Sequence, residues 1–196
     1  ALGPSWSSDE TQIPFLDAVS GVYVANNNGS ARVALGAGAT ASQPSFSFSG
    51  ARVAYTKTGD IYTVFSDTSG GEVNVTSNVA IDADPQYSPD GTRIAYAELG
   101  ATGYDIWTIP AGGVGATVHV TNGIAGDERE PTYSPSGSTI VYTSAGALFS
   151  VPATGGRPTA PAPPGQSPSV PPHPPTPPLR APRRHPRPRA PRPRRA

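Results

Sequence analysis

The sequence has no cysteine and no methionine among its 196 residues, and Lys57 is its one lysine. Without cysteine there is no disulfide framework, no thiolate metal site and no thiol nucleophile. Charged residues make up 14% of the chain and the hydrophobic set 36%, both low for a compact domain. No apolar run approaches the ~20 residues that cross a bilayer, so no transmembrane segment is expected. The opening residues, Ala1 to Trp6, show neither an initiator methionine nor a charged-then-apolar signal segment, and read as a processed or truncated start.

Proline and glycine are abundant, at 25 and 22 residues, but they are unevenly placed. Residues 1–156 hold all 14 acidic residues and five basic ones, a net −9; residues 157–196 hold nine arginines and no acid, a net +9. The same cut leaves 16 prolines and one glycine in the second part. Two different materials therefore meet near Gly156. Residues 1–156 are enough for one domain with a core. Residues 157–196 have no aromatic residue, and Val170 and Leu179 are their only large aliphatics. Such a segment cannot bury a core and is expected to be disordered, with polyproline II stretches. Three readings of it stand. It could be a basic arm for phosphate-bearing partners, or an intramolecular partner for the acidic head at high effective concentration. It could also be the product of a shifted reading frame, since proline, arginine and alanine codons are GC-rich and the break falls inside a repeat. The last is favoured, so nucleic acid is not an expected partner.

The acidic part is built from a repeat. Four segments starting at Pro4, Pro44, Pro85 and Pro131 align without gaps, with spacings of 40, 41 and 46 residues. An aromatic column runs Trp6, Phe46, Tyr87, Tyr133, and a serine column Ser7, Ser47, Ser88, Ser134. A β-branched column runs Ile13, Val53, Ile94, Ile140, and a second aromatic column Phe15, Tyr55, Tyr96, Tyr142. Each copy decodes as strands. Pro89-Asp90-Gly91 and Pro135-Ser136-Gly137 are hairpin turns, and Arg93 to Tyr96 alternates as a strand does. Third strands follow at Val22, Ile61, Ile106 and Leu148. A fourth is legible in three copies, from Arg32, Val73 and Val118. No 3.6-residue apolar stripe competes with this pattern. An array of four-stranded units of about 40–45 residues is the period of a β-propeller, in which stacking blades buries both faces of each sheet.

The block Asp84-Pro85-Gln86-Tyr87-Ser88-Pro89-Asp90-Gly91-Thr92-Arg93-Ile94-Ala95-Tyr96, followed by Asp105-Ile106-Trp107, resembles the repeat of the TolB-like, or WD-like, propellers. The resemblance covers residues 4–156 and is strongest in the third and fourth copies. It weakens in copy two at Phe48-Ser49-Gly50, and in copy one, where Ser8 to Thr11 replaces the turn. It implies an all-β fold of about four four-stranded antiparallel blades; a closed four-bladed ring is possible, but an open, truncated array is favoured, and its exposed apolar end faces would bring marginal stability or self-association. It also implies a periplasmic or secreted setting and a non-enzymatic scaffold that binds a protein or peptide partner through its loops or channel mouth. The alternative is the accessory propeller of a prolyl-oligopeptidase-like peptidase whose catalytic domain lies elsewhere.

The chemistry on offer is sparse. There is no G-x-S-x-G elbow, and His119 is the one histidine outside the tail, expected as an outward-facing strand residue rather than a triad member or ligand. No catalytic residue, cofactor or metal ligand is assigned. Carboxylates do recur just before the innermost strands: Asp82 and Asp84 before Pro85, then Asp127, Glu128 and Glu130 before Pro131. In a propeller these loops open at one channel mouth, where they could bind a cation or a basic peptide. The competing reading is that they cap backbone amides in the turn. Asp60 and Asp105 are expected to satisfy turn amides, and Trp6 and Trp107 to pack in the core.

Overall fold

The structure, a computed structural model, describes residues 6, 7, 9–17, 21–37 and 42–159, all within one unit, Ala1–Pro161. Of the first strand expected in copy one, which starts at Pro4, Pro4 and Ser5 lie outside the described residues and Trp6 and Ser7 are not in a strand; all of the tail beyond Thr159 likewise lies outside the described residues.

Each repeat folds into its own antiparallel sheet. The first comprises β1 (Gln12–Asp17), β2 (Gly21–Asn26) and β3 (Val33–Ala37). The second holds β4 (Ser42–Phe46), β5 (Arg52–Lys57), β6 (Asp60–Phe65) and β7 (Val73–Asn74). The third holds β8 (Asp82–Tyr87), β9 (Arg93–Leu99), β10 (Tyr104–Pro110) and β11 (Val118–His119), and the fourth β12 (Arg129–Tyr133), β13 (Thr139–Ser144) and β14 (Ala147–Pro152). Within each sheet the strands follow chain order, as short hairpins dictate. No helix occurs among the described residues.

The turn between the first two strands is built the same way four times. Ser7, Ser47, Ser88 and Ser134 each accept, on Oγ, the backbone N–H of the residue five positions on, at 2.9, 3.1, 2.9 and 3.2 Å. At the apex Gly50, Gly91 and Gly137 adopt φ of 70–73°, a left-handed conformation that costs glycine nothing. Copy one keeps the turn without the glycine: Glu10 takes φ 58° in its place.

A second device repeats at the start of the innermost strands. Gln43, Asp84 and Glu130 all have φ of 55–56°, and the ladder skips a step at each: between Ser42 and Ser45, Ala83 and Gln86, and Arg129 and Thr132. The proline that follows in each copy has no N–H to leave unpaired in such a bulge.

The sheets stack face to face through three apolar clusters. The first joins Val22, Val24 and Leu35 to Phe46, Val53, Tyr55 and Val64. The second joins Ala54, Ile61 and Val75 to Tyr87, Ile94, Tyr96 and Ile109, and the third Ala95, Ala97, Ile106 and Val120 to Ile140, Tyr142 and Val151. In every case the β-branched and second aromatic columns of one blade pack against small and aliphatic residues of the blade before it. Tyr55, Tyr96 and Tyr142 are at most 1% exposed, and burying each such side chain contributes about 1.5–3 kcal/mol. Phe15, in the same column of the first blade, is only partly buried.

The fourth blade begins an outer strand at the last of the described residues. Ser150 and Thr159 exchange both backbone hydrogen bonds, which sets Thr159 where Val73 stands opposite Thr63 and Val118 opposite Thr108. Two residues further on, blades two and three supply the buried Val75 and Val120. The same count from Thr159 reaches Pro161, which has no N–H for a ladder.

Candidate functional site

The bulges at the starts of β4, β8 and β12 bring Gln43, Asp84 and Glu130 together, and with them the polar mouth of the array. The three are linked in one direction. Gln43 Oε1 accepts the backbone N–H of Asp84 at 3.1 Å, and Asp84 Oδ2 accepts that of Glu130 at 3.3 Å. Gln43 and Asp84 thus each hold the next blade's inner strand. The Gln43 amide also donates to Asp84 Oδ1, and Arg129 Nε donates to Asp84 Oδ2 at 2.7 Å while its guanidinium lies 3.9 Å over the Tyr104 ring. The Asp84 side chain is 7% exposed, so its charge is matched and its oxygens are occupied.

The other predicted acids divide into two kinds. Asp82 and Glu128 occupy equivalent positions, three residues before the proline, and both are fully buried. Their backbone N–H groups donate to Gly59 O at 2.7 Å and Tyr104 O at 2.8 Å, tying each inner strand to the preceding blade. Asn78 Nδ2 donates to Asp82 Oδ2 at 3.3 Å, and Ser144 Oγ to Glu128 Oε1 at 3.3 Å. The second oxygen of each has no hydrogen-bond partner. Burial pushes both carboxyls up to about 7, with Glu98 and Asp60 adding to the effect at Asp82 and Asp105 and Asp127 at Glu128. Gly126 lies over Glu128 so closely that a Cβ there would meet Oε1.

Asp127 and Glu130 are exposed. Asp127 Oδ1 accepts the Tyr104 N–H at 3.1 Å, and Glu130 Oε2 accepts the Thr143 hydroxyl at 3.3 Å. Among the described residues no group of three or more His, Cys, Asp or Glu side chains converges as a metal site.

Several side chains differ from expectation. Asp60 and Asp105 face the outer strand rather than turn amides: Asn74 Nδ2 donates to Asp60 Oδ2 at 2.7 Å, and Asp105 Oδ2 lies 3.3 Å from His119 Nε2. His119 lies flat on Trp107, with ring centroids 4.0 Å apart and planes 9° from parallel, rather than pointing outward. Trp107 packs as expected, but Trp6 is 55% exposed. It walls a groove of about 640 Å³ at the far ends of the inner strands, together with Phe46, Phe48, Tyr87 and Tyr133. The polar mouth also uses two residues that charge alone does not reveal. Gln43 is neutral and Arg129 is basic, and only the column position before the proline points to the first.

The same architecture is found in solved structures. TolB from Acinetobacter baumannii superimposes with a TM-score of 0.67 over 81% of this chain and 42% of its own, at 20% identity. The Cps50 (Swd1) β-propeller domain of Myceliophteria thermophila gives 0.61 over 78% of this chain and 52% of its own, at 11% identity. The fold is a TolB-like β-propeller. Oligogalacturonate lyase from Vibrio parahaemolyticus shares it too, with a TM-score of 0.60 at 11% identity, over 76% of this chain and 50% of that one. No protein-family model and no curated sequence matches the chain. The chain spans less than half the length of the TolB it resembles, and its described residues form four sheets of three or four strands.

Proposed function

We propose that the chain is a non-enzymatic protein-binding scaffold of the TolB-like type, periplasmic or secreted, with residues 157–196 appended to the blades. Its binding surface is the polar mouth, and the segment it engages is basic. The observation that carries this reading is the unequal use of the mouth acids. Asp82 and Glu128 are buried in the blade joints, and Asp84 is matched by Arg129. Asp127 and Glu130 keep their carboxylates at the surface of the same mouth. Two exposed carboxylates beside the Asp84–Arg129 pair favour a lysine- or arginine-bearing peptide, with an affinity that falls as salt screens the attraction.

The test is fluorescence anisotropy of a labelled arginine-rich peptide titrated with the full chain. The expected result is saturable binding, weakened about 3–10-fold when Asp127→Asn and Glu130→Gln are combined, as the loss of two exposed charge contacts would give. Binding that ignores the double substitution, or no binding, would refute the reading.

A further inference from the structure

The far ends of the inner strands carry a second surface, opposite the polar mouth. The groove of about 640 Å³ there is lined from all four repeats, and each contributes one apolar side chain near the surface: Trp6, Phe48, Pro89 and Pro135 in turn. Trp6 and Phe48 are 55% and 66% exposed, while Phe46 and Tyr87, at 5% and 4%, form the floor.

The spacing of these contacts selects a conformation. Sheets stacked face to face lie about 10 Å apart, so the groove offers an apolar contact at about that interval. A polyproline II helix turns the same face to a surface every three residues, about 9 Å. A β-strand does so every two residues, about 7 Å, and falls out of step. Spread over three blade-to-blade steps, about 30 Å, 640 Å³ leaves a mean section of about 20 Å². That is narrow for an α-helix about 10 Å across, and wide enough for one extended chain.

The turns at this end bear charge of one sign. From Ser7 to Thr11, Ser47 to Ala51, Ser88 to Thr92 and Ser134 to Ser138 they hold Asp9, Glu10 and Asp90, all three exposed, and no lysine or arginine. The arginines that follow two of the turns are engaged along the sheets. Arg52 lies 3.8 Å over the Phe65 ring, and Arg93 donates to Thr108 Oγ1 and O at 3.0 Å and to Ala116 O at 3.1 Å. Hydrogen bonds led by those from Ser7 and Ser88 hold the Asp9 and Asp90 carboxyls below their ordinary range, so both stay charged.

We propose that this groove docks a proline-rich segment of a partner protein in the polyproline II conformation, with proline at every third residue and arginine or lysine at its flanks. Its prolines pack on Trp6 and Phe48, as such segments do in aromatic-lined grooves, and its cations face Asp9 and Asp90. The site lies at the opposite end of the inner strands from the polar mouth and does not rest on the binding role of that mouth.

The test is fluorescence anisotropy with the full chain and a labelled peptide of about twelve residues, proline at every third position and an arginine at each end. A scrambled peptide of the same composition, with its prolines out of that period, is titrated beside it. Saturable binding of the first is expected, at least about 5-fold tighter than that of the second. The scrambled peptide keeps the charge that the polar mouth would read, so the difference between the two belongs to the groove. Trp6→Ala and Phe48→Ala, each checked for an unchanged unfolding midpoint, should weaken binding about 5–10-fold, and Asp90→Asn about 2–3-fold. If Trp6→Ala fails to fold, Phe48→Ala alone decides. No binding, equal binding of both peptides, or binding indifferent to the aromatic substitutions overturns the proposal. So does a dimer of the chain alone that Phe48→Ala breaks, since a second copy would then fill the groove.

Discussion

At the scale of single residues, the turn between the first two strands of each blade shows how one hydroxyl can fix a hairpin. The buried Ser88 accepts the Arg93 N–H and donates to Asp90 Oδ1 at 2.6 Å, and Asp90 in turn accepts the Thr92 N–H at 3.1 Å. These bonds, led by that from Ser88, hold the Asp90 carboxyl below its ordinary value. Ser88→Ala leaves the Arg93 amide without this acceptor, and should cost about 1–2 kcal/mol in denaturant unfolding. It should also move the Asp90 titration, followed by NMR, upward. Copy one builds the same turn from a text without glycine. Asp9 accepts the Ser7 hydroxyl at 2.6 Å and the Thr11 N–H at 3.1 Å, while Glu10 bears the left-handed backbone. Glu10→Gly should therefore stabilise the protein by about 1 kcal/mol, read as a rise in the unfolding midpoint. The serine column was visible in the sequence, but its purpose was not, because the partner of a hydroxyl depends on how the backbone turns. Copy one looked like a departure from the pattern for the same reason: the residue types changed while the hydrogen bonds stayed.

At the scale of elements, the second and third joints between blades combine an apolar cluster with a buried carboxyl at the inner strand's entry, Asp82 and Glu128. A carboxyl raised to about 7 holds its proton in the folded state at pH values where the unfolded chain has lost it. Its contribution to stability is fully present below the ordinary carboxylate range near pH 4, and is lost as pH rises through about 7. Thermal unfolding should therefore show these joints weakening between about pH 4 and pH 7, by on the order of 1–3 kcal/mol. Asp82→Asn, which keeps the shape and removes the titration, should flatten part of that slope. A slope of opposite sign across this window would show that the carboxyls are charged in the folded protein. The sequence marked both acids but could not separate them from Asp84, Asp127 and Glu130, because burial, pairing and exposure differ within a span of three residues. Alternation along a strand and the bulge before the proline decide which way each one faces. Arg129 escaped the reading because its carboxylate partner lies in a different blade.

At the scale of the whole molecule, the period of the repeat was enough to read the propeller, since four columns at fixed spacing leave few ways to hide apolar residues. What the repeat could not show is how unequally the copies are covered. Ile13, Val53, Ile94 and Ile140 share one column, yet Val53, Ile94 and Ile140 are at 0% exposure while Ile13 is only partly buried. The outer strand of the fourth blade shows a similar contrast, for its first pairing at Thr159 keeps the register of its neighbours. Replacing Pro161 with Val and Ala162 with Thr restores the residues found at Val75–Thr76 and Val120–Thr121. That double substitution supplies a ladder N–H and a hydroxyl like those of Thr76 and Thr121, which accept the Ile61 and Ile106 N–H groups at 3.0 and 2.8 Å, and should slow amide exchange at Leu148.

The most direct measurement compares truncations within the β-branched column by denaturant unfolding, at dilutions where the chain is monomeric. If the blades owe their stability to leaning on one another, Ile94→Ala and Ile140→Ala should each cost about 2–5 kcal/mol. Ile13→Ala, the same change in the same column but on an end face, should cost less than about 1 kcal/mol. Equal losses at all three positions would mean that each sheet is held up from within, and would contradict the stacked-blade account.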